Sequence, residues 1–191
     1  MLFRSSTGTG RCNSRPPALG KLAHSPQSRV VMVKNPLCGK VRSGGCQCGA
    51  VRYSITVEFG KAGICHCRMC QKAFGNFGAA LVSIAATGVQ WTRGSAAEFR
   101  SSAIVARGFC AACGTLLYMR EDGDPNYEIA IGSLDEPNEI APMTEQSGIE
   151  SRVNWFAGLR DLPQQTTPDY RSAEDLQKLK SLQHPDHGTE Q

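Results

Sequence analysis

Seven of the nine cysteines in this chain of 191 residues fall into three short clusters, which constrain the fold more than any other feature. A secreted disulfide-rich domain is ordinarily shorter and follows a signal peptide with an apolar segment of about 7–15 residues. Residues 1–40 contain no such apolar segment. Metal ligation in a reducing compartment therefore explains the clusters better than disulfide bonds do. The clusters are Cys46 with Cys48, Cys65 with Cys67 and Cys70, and Cys110 with Cys113; Cys12 and Cys38 lie apart from them.

The first and third clusters have the form of two halves of one zinc site. Each half places two cysteines close together, with a glycine directly after the second. A structural zinc ion takes four ligands in a tetrahedron, and glycine permits the tight turn that points backbone amides at sulfur. We therefore predict that one structural zinc ion is bound by Cys46, Cys48, Cys110 and Cys113, and that it links two distant parts of the chain. The alternative is that these cysteines pack as small buried apolar residues, which the paired spacing disfavours.

The middle cluster supplies three cysteines and one histidine within six residues and contains no fourth cysteine. Three protein ligands with one open position are typical of a catalytic zinc ion, so we predict a second, reactive zinc on Cys65, Cys67 and Cys70. His66 is the alternative fourth ligand, but it lies between two adjacent ligands and we expect its ring to point elsewhere. Lys72 could offset the charge of the thiolates, although an exposed surface lysine is the simpler interpretation.

A site with three thiolates favours some reactions over others. Zinc with three cysteinates is formally an anion and is a weaker Lewis acid than zinc with three histidines, so hydrolysis by an activated water is disfavoured. Such a zinc ion can instead hold an incoming thiol as its thiolate at neutral pH. A thiolate held in this way is a nucleophile for a small carbonyl compound, and the cluster therefore indicates thiol chemistry.

The remainder of the chain has the pattern of a mainly β protein. Residues 51–57 alternate apolar and polar side chains, which is the period of a half-buried strand. Turn-forming glycines separate further short segments of β-forming residues. We predict one helix near the end of the chain, because Ser172 and Asp175 form a capping pattern followed by leucines at helical spacing. The further strands are predicted at residues 79–84, 89–91, 98–101, 104–109, 115–119 and 127–131.

Charge is distributed unevenly along the chain. Residues 1–40 contain seven basic residues and no acidic ones, whereas residues 41–191 contain 14 basic and 17 acidic residues. The mildly acidic body disfavours a nucleic-acid-binding surface, and no apolar run approaches the roughly 18 residues that a membrane helix needs. We expect a basic, disordered extension at 1–40, a zinc-binding domain at 41–170, and a short helix with a frayed tail at 171–191. The expected location is the cytoplasm, or the mitochondrion if the extension is a transit peptide.

Three segments that contain the cysteines resemble the glutathione-dependent formaldehyde-activating enzyme family, which includes the centromere protein V-like proteins. They are residues 44–53 (GGCQCGAVRY), 65–70 (CHCRMC) and 107–114 (RGFCAACG). The resemblance implies a tent-like, mainly antiparallel β fold, with a structural zinc on the outer two clusters and a catalytic zinc on the middle one. It also implies condensation of formaldehyde with glutathione to S-(hydroxymethyl)glutathione, a carbon–sulfur lyase reaction in reverse, so the expected partner is a small thiol, glutathione. Gln71 stands where an arginine commonly follows the third cysteine in this family.

Two other functions are compatible with the same pattern. One is a non-catalytic, zinc-stabilised module that recruits a protein or nucleic acid. The other is a thiol-redox or zinc-handling protein that uses the three-cysteine cluster. Turnover of glutathione and formaldehyde, followed by NMR and corrected for the uncatalysed condensation, distinguishes the enzyme from both alternatives.

Overall fold

The computed structural model describes residues 40–140 and 142–187. The predicted basic extension therefore lies outside the described residues, apart from Lys40, and so do Cys12 and Cys38. The predicted domain boundaries stay predictions. Within the described ranges, no helix is both long enough and apolar enough to cross a lipid bilayer.

In the described part of the chain, ten short strands form two sheets, which confirms the predicted mainly β fold. The smaller sheet has the strand order β1-β2-β5, and the larger has the order β10-β3-β4-β9-β8-β7-β6. All pairings are antiparallel except that of β10 with β3. The strands are β1 (Arg42–Gly45), β2 (Arg52–Ile55), β3 (Ala62–Cys65), β4 (Ala79–Ala85), β5 (Val89–Arg93), β6 (Ala97–Arg100), β7 (Val105–Phe109), β8 (Leu116–Glu121), β9 (Asn126–Ala130) and β10 (Glu145–Ser147).

Among the residues that the structure describes, three α-helices and five short 3-10 helices connect or follow the strands. The helix α1 lies between β3 and β4, and Gly75 caps its C-terminal end in the left-handed conformation at φ 58°. The α-helices are α1 (Arg68–Phe74), α2 (Thr167–Tyr170) and α3 (Ala173–Lys178). The 3-10 helices are Ala86–Gly88, Ile131–Ser133, Pro137–Glu139, Ile149–Ser151 and Phe156–Asp161.

One apolar core contains side chains from both sheets. Tyr53 and Ile55 of the smaller sheet are fully buried in the same cluster as Val82, Leu117 and Ile129 of the larger sheet. The alternation of β2 predicts the inward direction of Tyr53 and Ile55 correctly. Side chains of β4 also alternate between the two faces of the larger sheet, so Val82 points into the core and its neighbours Leu81 and Ser83 lie on the opposite face.

The other face of β2 differs from the sequence expectation. Residues 51–57 predict a strand with one polar, exposed face, but the Arg52 side chain is buried, with 3% of the residue exposed. Its guanidinium donates two hydrogen bonds to the carboxylate of Asp135, at 2.9 and 2.5 Å, and the Ser43 hydroxyl donates to the same carboxylate at 2.5 Å. Burial of Arg52 is possible because the ion pair satisfies its charge.

The predicted C-terminal helix is present as α3. The Ser172 hydroxyl accepts a hydrogen bond from the Asp175 backbone N–H at 3.0 Å, as the capping pattern predicts. The helix ends before Leu179, and Leu182 is 94% exposed, so these leucines do not form a buried stripe. Beyond the helix, the His184 backbone N–H donates to the Gln47 carbonyl at 2.8 Å, which places this part of the chain beside the first cysteine cluster.

Candidate metal centres

The structure brings the first and third cysteine clusters together into one group of four thiols. Cys46 and Cys48 follow β1, and Cys110 and Cys113 follow β7, and all four sulfur atoms lie within 4.8 Å of one another. The Cys46–Cys48 and Cys48–Cys110 sulfur–sulfur distances are 3.6 and 3.9 Å. Zinc–sulfur bonds of about 2.3 Å in a tetrahedron place the sulfur atoms about 3.8 Å apart. The four-cysteine group therefore has the dimensions of a tetrahedral zinc site.

Glycine turns and amide hydrogen bonds shape this four-cysteine group. Gly49 and Gly114 follow the second cysteine of each half at φ 75° and 77°, where an L-residue with a side chain is strained. The Val51 backbone N–H donates to the Cys46 sulfur at 3.2 Å. Burial raises the pKa of Cys113, but hydrogen bonds with Thr115 outweigh it and lower the pKa to about 6. The thiolate form is thus favoured at Cys113, whereas burial raises the pKa of Cys110.

The middle cluster forms a second, separate group of three thiols at the start of α1. Cys65 is the last residue of β3, Cys67 is the N-cap of α1, and Cys70 lies in the first turn of that helix. Their three sulfur atoms lie within 4.8 Å of one another, and the Cys70 backbone N–H donates to the Cys67 sulfur at 3.4 Å. Cys70 is buried, whereas Cys65 and Cys67 are half-buried. The three-cysteine group is therefore covered on one side and accessible on the other.

His66 does not join the three-cysteine group. Its side chain is completely buried, its Nε2 atom is 3.1 Å from the Gln146 side-chain oxygen, and its ring packs edge-on against Phe156 at 4.6 Å. All seven cysteines of the two groups are free thiols, without disulfide bonds. The two groups offer four and three sulfur ligands, so each could bind a metal ion.

Arg107 of β7 is a residue of this site that the sequence analysis missed. Its guanidinium is buried, with 1% of the residue exposed, and donates to the Cys70 sulfur at 3.4 Å and to the Ser101 hydroxyl at 3.1 Å. In the part of the chain that the structure describes, no carboxylate lies within ion-pair distance of it. A buried cation needs a counter-charge, and the thiols of the three-cysteine group are the groups placed to supply one. Lys72, the basic residue considered from the sequence, is exposed on α1.

The positive charge of Arg107 is not enough by itself to keep the buried Cys70 thiol deprotonated at neutral pH. Burial raises the pKa of Cys70 to about 12, although the hydrogen bond from Arg107 and its charge act in the opposite direction. Bound Zn²⁺ would supply the additional positive charge. Three thiolates with Zn²⁺ would carry one net negative charge, and the Arg107 guanidinium is placed to balance it. The residues present therefore fit zinc.

Gln71, the residue that departs from the family pattern, connects α1 to the chain that follows β10. Its side chain is buried, and its amide donates to the carbonyl oxygens of His66 at 2.6 Å and Ser151 at 2.8 Å. Gly148 packs directly against Cys67, since a Cβ atom there would lie 2.6 Å from the Cys67 nitrogen. The segment around residues 148–151 thus holds α1 and its cysteines in place.

A cavity of about 620 Å³ lies beside the three-cysteine group, and Cys65 forms part of its wall. Its lining includes Leu81, Ser83 and Met119 of β4 and β8. Leu81 and Met119 also belong to a second, smaller apolar cluster that contains Cys70. The volume is within the range of about 300–1,000 Å³ that is usual for small-molecule sites.

Comparison with known proteins identifies the family. A family model described as "Glutathione-dependent formaldehyde-activating enzyme" matches residues 41–147. No curated protein matches the sequence significantly. Among solved structures, the chain is similar to the crystal structure of a Rhodobacter sphaeroides protein, at 22% identity and a TM-score of 0.41, covering 52% of this chain and 91% of that chain. The family match spans more than half of the chain and includes all seven clustered cysteines, so this chain belongs to the glutathione-dependent formaldehyde-activating enzyme family.

Proposed function

We propose that the protein is a zinc-dependent enzyme that forms or cleaves the carbon–sulfur bond between a small thiol and formaldehyde, with glutathione as the reference thiol. The observation that carries this proposal is the contrast between the two cysteine groups. The four-cysteine group is a complete ligand set, as in structural zinc sites. Among residues 40–140 and 142–187, no fourth sulfur joins the three-cysteine group, and half-buried Cys65 lies in the wall of a cavity, as in catalytic sites.

In this proposal, Cys46, Cys48, Cys110 and Cys113 hold a structural zinc ion, and Cys65, Cys67 and Cys70 hold a catalytic one. Zinc in the second position supplies the positive charge that keeps a substrate thiol deprotonated at neutral pH. Arg107 balances the excess negative charge of the three thiolates from the buried side, which leaves the cavity side for substrate. Gln71 and Gly148 hold α1 in position, so that the three sulfur atoms stay close together.

The reaction is an addition that needs no oxidant or reductant. The thiol loses its proton, its sulfur forms a bond with the formaldehyde carbon, and the former carbonyl oxygen gains a proton to become a hydroxyl group. Cleavage of the hydroxymethyl adduct reverses these steps. Free thiols are needed throughout, so the proposal places the protein in a reducing compartment, the cytoplasm or the mitochondrial matrix.

Exchange NMR at equilibrium tests this function. Glutathione, formaldehyde and their adduct interconvert without enzyme, so the rate of exchange is measured with and without the zinc-loaded protein. We expect faster exchange with the protein, a return to the blank rate with Cys70→Ser, and full activity with Cys38→Ser, which removes a cysteine outside the clusters. An exchange rate equal to the blank, with both sites loaded, would instead favour the non-catalytic zinc module.

A further inference from the structure

The cavity beside the three-cysteine group is lined by more acidic than basic side chains. It lies on the face of the larger sheet that points away from the core, where β3, β4, β8, β9 and β10 each contribute side chains. Five carboxylates and one ammonium group line it. They are Glu58, Glu121, Asp124, Glu128, Glu145 and Lys61.

Basic side chains compensate only part of this negative charge. The Lys61 ammonium lies 3.8 Å from the Glu145 carboxylate, and an arginine outside the cavity, Arg42, lies 3.6 Å from Glu58. For Glu121, Asp124 and Glu128, no basic side chain of residues 40–140 or 142–187 comes within ion-pair distance. The described side chains that line the cavity therefore carry a net negative charge.

Glu128 lies in the middle of this surface. It pairs with Ser83 of β4 on one side and with Met119 of β8 on the other. Burial raises the pKa of Glu128, a hydrogen bond with Ser83 opposes the change, and the charges of Asp124 and Glu145 raise the pKa further. The carboxylates thus repel one another across the cavity, and a positively charged ligand would relieve this repulsion.

The cavity is also next to the proposed reacting group. Cys65 of β3 lines the cavity, and so does Ser147, which is its partner in β10. Glu145 precedes Ser147 by two residues, which corresponds to about 7 Å along a strand. A thiol compound bound at the three-cysteine group would therefore place its remaining atoms among these carboxylates.

We propose that this cavity binds the part of the substrate that does not react, and that it selects a thiol with net positive charge over glutathione. This inference rests on the proposed function and specifies its substrate class. Glutathione has two carboxylates and one ammonium group at neutral pH, so its net charge is negative. A carboxylate about 6 Å from a unit charge changes affinity about threefold even at the dielectric constant of water. A ligand that differs from glutathione by two charges should therefore differ in affinity by about tenfold or more.

Isothermal titration calorimetry with two matched ligands tests this inference. The ligands are glutathione and its diamide, in which both carboxyl groups are carboxamides and the net charge is positive. Each is titrated into the zinc-loaded full chain without formaldehyde, first at low ionic strength and then at about 0.5 M salt. Titration of the double variant Glu121→Gln/Glu128→Gln tests the cavity directly. The matched control is Glu174→Gln, which removes an exposed carboxylate of α3 that does not line the cavity.

We expect the diamide to bind at least about tenfold more tightly than glutathione at low salt. This preference should shrink in high salt and in the double variant, and persist in Glu174→Gln. Equal or tighter binding of glutathione would overturn the inference and leave the proposed function standing. A preference for the diamide without turnover of any thiol–formaldehyde adduct would support the inference and contradict the proposed function. Failure of both thiols to bind would overturn both.

Discussion

Arg107→Met should weaken metal binding at the three-cysteine group about 10- to 100-fold and leave the four-cysteine group unchanged. The Arg107 guanidinium lies 3.4 Å from the Cys70 sulfur. With a zinc–sulfur bond of about 2.3 Å, its charge is about 5–6 Å from the centre of the site. For an effective dielectric constant of about 20–40, its attraction for a site with one net negative charge is about 1.5–3 kcal/mol. Loss of a residue that supports a metal ligand commonly has an effect of this size.

The measurement is competition for zinc with a chromogenic chelator. The four-cysteine group serves as an internal reference, because its zinc should be released later and in the same titration. Arg107→Lys keeps the charge without the planar guanidinium and should lie between the wild type and Arg107→Met. Arg120→Met is the matched control, since Arg120 lies on the neighbouring strand and pairs at the surface with Glu98 at 2.7 Å.

Methionine is chosen because it preserves much of the apolar volume of arginine. No carboxylate is left unpaired by the change, so the variant should fold, which circular dichroism can verify. The charge-balance reasoning is refuted if Arg107→Met releases its first zinc ion at the same chelator concentration as the wild type and Arg120→Met.

Three further predictions concern the fold and its response to pH. Cys113→Ser should prevent cooperative folding because the four-cysteine group links β1 to β7, whereas Cys67→Ser should give a folded protein that has lost one zinc ion. Elemental analysis and thermal unfolding measure the two effects, and the same behaviour of both variants would contradict the assignment of the two groups. Asp135→Ala should lower the free energy of unfolding by about 3–5 kcal/mol and Tm by about 6–20 °C, because the buried Arg52 loses its counter-charge; a change in Tm below about 2 °C would contradict this account. The pKa of Glu128 is raised in the folded state, so its ionisation lowers stability as the pH rises above the ordinary value of 4.5. Glu128→Gln should therefore raise Tm at pH 7 and have no such advantage near pH 4, and an equal shift at both pH values would count against it.

The sequence predicted most strands of the larger sheet, but not all of its elements. Periodic apolar residues identify β4 because Val82 and Ile84 are both in the core. The strand β10 is three exposed polar residues, and it is a strand only because it pairs with β3 at the edge of the sheet. The helix α1 has seven residues, and its N-cap is a cysteine, Cys67, instead of the usual serine, threonine, aspartate or asparagine. Both elements depend on neighbours that are distant in sequence.

The amino-acid sequence by itself determined the mainly β class and the division of seven cysteines into groups of four and three. These properties are local, because alternation and short ligand spacing follow from a few adjacent residues. Only the tertiary structure decided that the Arg107 guanidinium lies beside the Cys70 sulfur, that Arg52 is buried, and that carboxylates from several strands line the cavity beside Cys65. Charge interactions of this kind join residues from strands that are far apart in the chain. These interactions depend on which strands become neighbours in the sheet, and the order of the residues along the chain does not reveal that arrangement.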